Sequence, residues 1–386
     1  PFLGLAPMDL TLVFLVFFIL SCLLCGVRSG SSLNVTSMFT FGDSHIDTGN
    51  VLIMAASVIP VWIDHPPYGE TFFGHPSGRF SNGRVVIDFI ANELGLPFLP
   101  AFLSNSTNVS HGVNFAVGGA TAIEVAFFET NNLVPFKLLN NSLDVQLGWF
   151  EQAKPSVCNC NEAPGGQPRY GDCFGNALFF VGELGVNDYN FIWTAGKTED
   201  EIKKYYVPKV VDTISKAVER LIKEGAVYIV VPGNPPTGCS PSVLTFRQSP
   251  NKTDYDHIGC LRNVNAVARY HNLLLRAAIA GLRGRYPHAR IIFADFYEPI
   301  IRILDNPGHF GFGDDALKAC CGTGGAYNWD PNAFCGMPGV PACRNPAAYV
   351  SWDGVHYTEA TNRYIAQGWL HGPYADPPIL SALQRY

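Results

Sequence analysis

Short, unbroken apolar runs alternate with amphipathic stretches along most of this chain, and that alternation restricts its fold more than any other feature. Residues 38–41, 177–181, 226–231 and 290–293 read as strands, and 84–94, 199–224, 261–283 and 361–370 as helices. Within 199–224, Ile202, Tyr206, Val210, Ile214, Val218 and Leu221 share one helical face, and Gly225 follows as a stop signal. A strand that is apolar at every residue must be covered on both faces, so the pattern predicts a parallel sheet between helices. At 386 residues, 47% of them hydrophobic, the chain can bury that core in one α/β unit. Segments 50–81, 104–144 and 307–350 lack a clear period and are rich in Gly, Pro, Asn and aromatic residues. They are read as the long loops that shape a pocket at the strand ends.

The start of the chain sets the expected compartment. Residues 10–27 are apolar and uncharged and end at Arg28-Ser29-Gly30, the form of a cleaved signal peptide, with a signal anchor as the alternative. Residues 1–7 precede Met8 and are read as outside the native chain, leaving 31–386 as one domain with a short C-terminal tail. Sequons at Asn34, Asn105, Asn108, Asn140 and Asn251 fit a secreted glycoprotein. Cys22 and Cys25 lie in the signal region. Nine cysteines remain, Cys158, Cys160, Cys173, Cys239, Cys260, Cys320, Cys321, Cys335 and Cys343, grouped in Gly/Pro-rich segments. That grouping predicts loop-pinning disulfides, with at least one cysteine unpaired in a monomer. Their spacing repeats no zinc-ribbon pattern, and no metal site is expected. The net charge of −6 argues against a nucleic-acid partner. Nothing requires an oligomer or, once the signal is cleaved, a membrane span.

The chemistry is carried by two distant segments. Phe41-Gly42-Asp43-Ser44-His45 follows the first strand and puts a hydroxyl at its C-terminal end, where open α/β sheets build their sites. Asp353-Gly354-Val355-His356 supplies a base, His356, and an orienting carboxylate, Asp353. A serine hydroxyl is a poor nucleophile until a base takes its proton, and the base works best when a third group orients it. The plain alternative is that Ser44 caps the next helix. Two further blocks offer hydrogen-bond donors for a developing oxyanion: Gly112-Val113-Asn114-Phe115-Ala116 with Gly118-Gly119, and Gly185-Val186-Asn187-Asp188 after the second strand. Asp43, Arg79 and Arg84 are read as structural, and Trp62, Tyr68, Phe72 and Phe73 as packing residues rather than an acyl pocket.

Taken in order, these four blocks resemble the plant GDSL esterase/lipase family of the SGNH hydrolase superfamily. Pro67-Tyr68-Gly69, the stretch Gly78 to Arg84 and Pro232-Gly233-Asn234-Pro235-Pro236 add to the likeness, which spans about residues 37–372. The resemblance implies a flavodoxin-like, three-layer α/β/α sandwich with about five parallel strands. It also implies Ser44 as nucleophile, His356 as base and Asp353 as its partner. The implied oxyanion hole is the Ser44 N–H, the Gly119 N–H in preference to that of Gly118, and the Asn187 side chain. Ile46 stands two residues after the serine, so this is not the Gly-x-Ser-x-Gly elbow of α/β-hydrolases. His45 and Val186 depart from the residues common in the family. The implied activity is carboxylic ester hydrolysis without cofactor, on a small-molecule, lipid or polysaccharide ester. The alternatives are acyl transfer to an alcohol of a specialised metabolite or pigment, and a non-catalytic glycosylated defence or cell-wall protein.

Overall fold

A computed structural model describes residues 35–56, 61–104, 108–135, 137–158 and 173–384. The apolar stretch 10–27, Asn34, Asn105, Cys22, Cys25 and Cys160 lie outside the described residues. Residues from Asn34 to Leu383 form one compact unit. Among the described residues it is built on six strands: β1 (Ser37–Phe41), β2 (Gly112–Asn114), β3 (Ala177–Val181), β4 (Tyr228–Pro232), β5 (Arg290–Ala294) and β6 (Ala375–Asp376). Their order is β2-β1-β3-β4-β5-β6; the first five are parallel, and the short β6 runs antiparallel to β5. Every residue of β1, β3 and β4 is buried, the result expected of strands that are apolar throughout.

Helices surround the sheet: α1 (Asn50–Ala55), α2 (Val86–Glu93), α3 (Val125–Thr130), α4 (Leu143–Val157), α5 (Val186–Thr194), α6 (Val207–Lys223), α7 (Pro241–Phe246), α8 (Arg262–Arg285), α9 (Glu298–Asp305), α10 (Glu359–His371) and α11 (Ile379–Leu383). The alternate β1 and β3 residues Phe39, Phe41, Phe179 and Val181 share one core with Phe150 of α4, Ile214 of α6 and Leu275 of α8. The α2 and α10 helices pack on each other. No helix among the described residues is long and apolar enough to cross a membrane.

The differences from the sequence reading are local and have local causes. The helix expected over 84–94 begins at Val86, where Asp88 turns back to accept the Val85 N–H at 2.9 Å. The stretch expected as one helix over 199–224 contains a π segment, Ile202–Tyr206, ahead of α6. Pro208 there has no N–H to donate to the preceding turn. Helix α4 emerges from a region read as loop up to residue 144, with Leu143, Leu147 and Phe150 on its buried face. Helix α5 and the three-residue β2 are short and carry no period of their own.

Among the described residues, four disulfides pin the loops: Cys158–Cys173, Cys239–Cys260, Cys320–Cys343 and Cys321–Cys335. The last two bear on the segment holding Asp353 and His356. Cys320 N–H donates to Ser351 O at 3.0 Å, and Cys321 N–H to Trp352 O at 2.7 Å. Two bridged cysteines thus brace the backbone immediately before Asp353.

Candidate active site

The chain order changes direction at β1, with β2 on one side and β3 on the other. Such a switch opens a crevice beyond the C-terminal strand ends. Ser44 follows β1, Gly118 and Gly119 follow β2, and Asn187 follows β3. The fold therefore delivers three sequence-distant blocks to neighbouring strand ends.

Ser44 sits in a tight turn, not at a helix N-cap; the N-cap of α1 is Gly49. Asp43 Oδ1 accepts the His45 N–H at 2.9 Å and lies 3.1 Å from His45 Nδ1. The side-chain amide of Gln146 on α4 both accepts the Gly42 N–H (2.9 Å) and donates to Gly42 O (2.8 Å). Buried Asp47 collects N–H groups from Gly49, Asn50, Val51 and Gly118, the last at 2.8 Å. It thereby ties the serine turn to the segment after β2.

Three groups then fall in line. Ser44 Oγ is 2.8 Å from His356 Nε2, and His356 Nδ1 is 2.7 Å from Asp353 Oδ2. Asp353 Oδ1 accepts the N–H groups of Val355 and His356 at 3.0 and 2.8 Å, and the Tyr68 hydroxyl donates to Oδ2 at 2.9 Å. The turn needs glycine at 354: φ is +94°, and a Cβ there would meet Trp329 Cδ1 at 2.1 Å. Phe80 covers the imidazole with its ring centroid 4.4 Å away. All three groups are nearly buried. Burial alone would raise the Asp353 carboxyl, but the His356 charge and the hydrogen bonds it receives hold it down at about 2.

The donor side is less symmetrical. Gly118 N–H is already taken by Asp47. Gly119 lies at φ +78°, and among the described residues neither its N–H nor that of Ser44 donates to a protein group. Asn187 Nδ2 is 2.9 Å from both Asp43 Oδ2 and Ala120 O. Both amide hydrogens are directed at protein acceptors, so giving one to a ligand oxygen requires sharing or releasing one of these bonds.

Behind the turn lies a set of buried carboxyls in which Glu183, not singled out in the sequence, joins Asp43 and Asp188. Glu183 Oε2 is 3.5 Å from His45 Nδ1, and Glu183 Oε1 accepts from Asn234. Burial, then the charge of Asp43, pushes Glu183 well up. Burial raises Asp188 to about 7, against N–H donors from Ala122 and Ile123. Asp43, His45 and Glu183 present possible ligand atoms within 4.8 Å of one another. Their spacing is also that of a hydrogen-bonded cluster in which Asp43 already serves His45 and Asn187. Tyr68, read from sequence as packing, is part of the core, and its hydroxyl also reaches Asp353. Phe72 and Phe73 sit under the guanidinium groups of Arg84 and Arg79, which pair with Glu359 and Asp88.

Residues 38–369 match the family described as GDSL-like Lipase/Acylhydrolase. The chain belongs to that family. Among its relatives, the Arabidopsis thaliana protein named GDSL esterase/lipase At2g27360 is 44% identical over 368 residues, 95% of this chain and 92% of the relative. The Arabidopsis thaliana GDSL esterase/lipase At1g28580 is 46% identical over 345 residues, 89% of this chain and 86% of its own length. The protein is thus a GDSL-type carboxylic ester hydrolase.

Proposed function

We propose that the protein is a secreted serine esterase working through an acyl-enzyme on Ser44. The observation that carries this is the line from Ser44 Oγ through the His356 imidazole to the ionised Asp353. In the proposed cycle His356 Nε2 takes the hydroxyl proton as Ser44 Oγ attacks the ester carbonyl. The alcohol departs with that proton from His356. Water, deprotonated by the same nitrogen, then attacks the acyl-enzyme and restores Ser44. Asp353 stays ionised throughout and keeps the Nδ1 proton on the imidazole. The Ser44 and Gly119 N–H groups and Asn187 form the proposed oxyanion hole.

Secretion is supported by the four disulfides, which suit an oxidising compartment. It is supported too by the exposure of Asn108, Asn140 and Asn251, the sequon asparagines among the described residues. The test of the chemistry is hydrolysis of p-nitrophenyl acetate, butyrate and palmitate beside Ser44→Ala, with fluorophosphonate labelling of the unmodified protein. Ser44-dependent hydrolysis and labelling at Ser44 are expected. A Ser44→Ala protein that hydrolyses these esters as well as the parent overturns the mechanism.

A further inference from the structure

A cavity of about 410 Å³ opens beside the proposed site, lined by Asn190, Trp193, Val243, Phe246, Trp329 and Val355. Its position follows from two local facts. Asn187, Asn190 and Thr194 are spaced i, i+3, i+7 on α5, so one helical face runs from the proposed oxyanion donor into the cavity wall. One turn of that helix advances only about 5 Å. On the opposite side, Val355 is the residue before His356 and is 38% exposed. A chain neighbour of His356 and a residue one helical turn beyond Asn187 therefore line the same space.

The wall is aromatic. Phe246 and Trp329 meet edge to face with centroids 5.0 Å apart, and the Arg247 guanidinium lies 5.0 Å from the Trp193 ring. Phe246 projects from the last turn of α7 and is 68% exposed. Phe246, packed by one edge on Trp329, thus leaves the rest of its ring open to a cavity of ligand size. Polar groups stand at its edge, with Asn190, Thr194 and Arg247 among them.

We infer that this cavity is a subsite for the aromatic portion of the ester substrate, held between Trp193, Phe246 and Trp329. The inference rests on the esterase reading above and adds a substrate class to it. Offset and edge-to-face ring contacts favour an aromatic ring over an alkyl group of equal area. The ring can belong to the acyl group, as in a cinnamate, or to the alcohol, as in a phenyl ester.

The test compares ethyl cinnamate, phenyl acetate, ethyl octanoate and ethyl acetate in the parent and in Phe246→Ala, an exposed position whose truncation leaves the core intact. A loss of about tenfold in kcat/KM is expected for the aromatic ester whose ring occupies the cavity. Ethyl acetate should change less than about twofold. Loss on ethyl cinnamate alone assigns the ring to the acyl side, and loss on phenyl acetate alone to the alcohol side. Equal effects on all four esters, or a loss on ethyl octanoate as large as on the aromatic esters, overturn the inference. Binding of ethyl cinnamate and of phenyl acetate to Ser44→Ala, read by tryptophan fluorescence, separates this from the chemistry. Binding weakened by Phe246→Ala supports the subsite even if the parent hydrolyses no ester. Binding of both ligands indifferent to Phe246→Ala removes the subsite while leaving the esterase mechanism standing.

Discussion

Two groups of buried carboxyls flank Ser44, and they are driven in opposite directions. Asp353, beside His356, is held at about 2, whereas burial raises Asp188 to about 7, and burial with the charge of Asp43 pushes Glu183 well up. Burial is the first influence on all three and pushes each one up. The difference lies in the neighbours. Asp353 faces an imidazole able to carry positive charge and receives two N–H groups and a phenol hydroxyl. Glu183 faces the charges of Asp43 and Asp188, and Asp188 faces that of Asp43. One side of the serine is thus suited to bear a fixed negative charge near a cation. The other holds buried carboxyls whose charged form is disfavoured, and serves as scaffold.

The sharpest way to break this contrast is to remove the charge on the first side while keeping its shape. Asp353→Asn is expected to lower kcat by about 10⁴-fold, because the amide cannot hold the required imidazole tautomer. A loss below about tenfold would mean that the ionised carboxylate is incidental. Next in size is Asn187→Ala, expected to cost about 10²–10³-fold in kcat if its amide donates to the oxyanion. Its present bonds to Asp43 and Ala120 make this a discriminating experiment. A loss under about fivefold would leave the Ser44 and Gly119 N–H groups as the whole oxyanion hole and reduce Asn187 to a brace.

On the scaffold side the readout is stability. The folded pKa of Asp188, about 7, lies above its unfolded value. The folded protein therefore holds a proton that the unfolded chain releases, and this group's contribution falls as pH rises from about 4 to about 7. The slope is at most about 1.4 kcal/mol per pH unit. Urea unfolding of Asp188→Asn across that range should show stability declining less steeply with pH than in the parent. An unchanged slope would mean that Asp188 is ionised in the fold.

The difference between the two sides was only half legible in the sequence. Ser44, Asp353 and His356 could be singled out because a hydroxyl at a strand end and an Asp-x-x-His segment have few joint uses. The all-apolar strands likewise announced a covered parallel sheet. Tyr68 could not be matched to Asp353, 285 residues away, nor Gln146 to Gly42, 104 residues away, because those contacts exist only once the sheet is assembled. Glu183 was hidden for a related reason. Nothing in Gly182-Glu183-Leu184 says that the carboxyl turns inward toward Asp43. The grouping of cysteines signalled bridges, but which cysteine meets which depends on loops that have no period.

Tyr68 offers the finest probe of the comparison, because it touches the ionised side without taking part in the proposed proton transfer. Its hydroxyl donates to Asp353 Oδ2, the same oxygen that faces His356 Nδ1. Tyr68→Phe keeps the ring against Trp352, 5.9 Å away between centroids, and removes only that donor. The carboxylate retains the Val355 and His356 N–H groups on Oδ1, so the His356 segment should hold its place. A hydrogen bond to a charged group is worth about 1.5–3 kcal/mol in the fold. Only the part that changes between ground and transition states reaches the rate, and a fall of about threefold to tenfold in kcat is expected. KM should stay constant, since Tyr68 bonds Asp353 on the Nδ1 side of His356, whereas Ser44 faces Nε2. A rise in KM with constant kcat would make Tyr68 a substrate contact. A loss as large as that of Asp353→Asn would mean that the phenol, more than the backbone N–H pair, keeps this carboxyl charged.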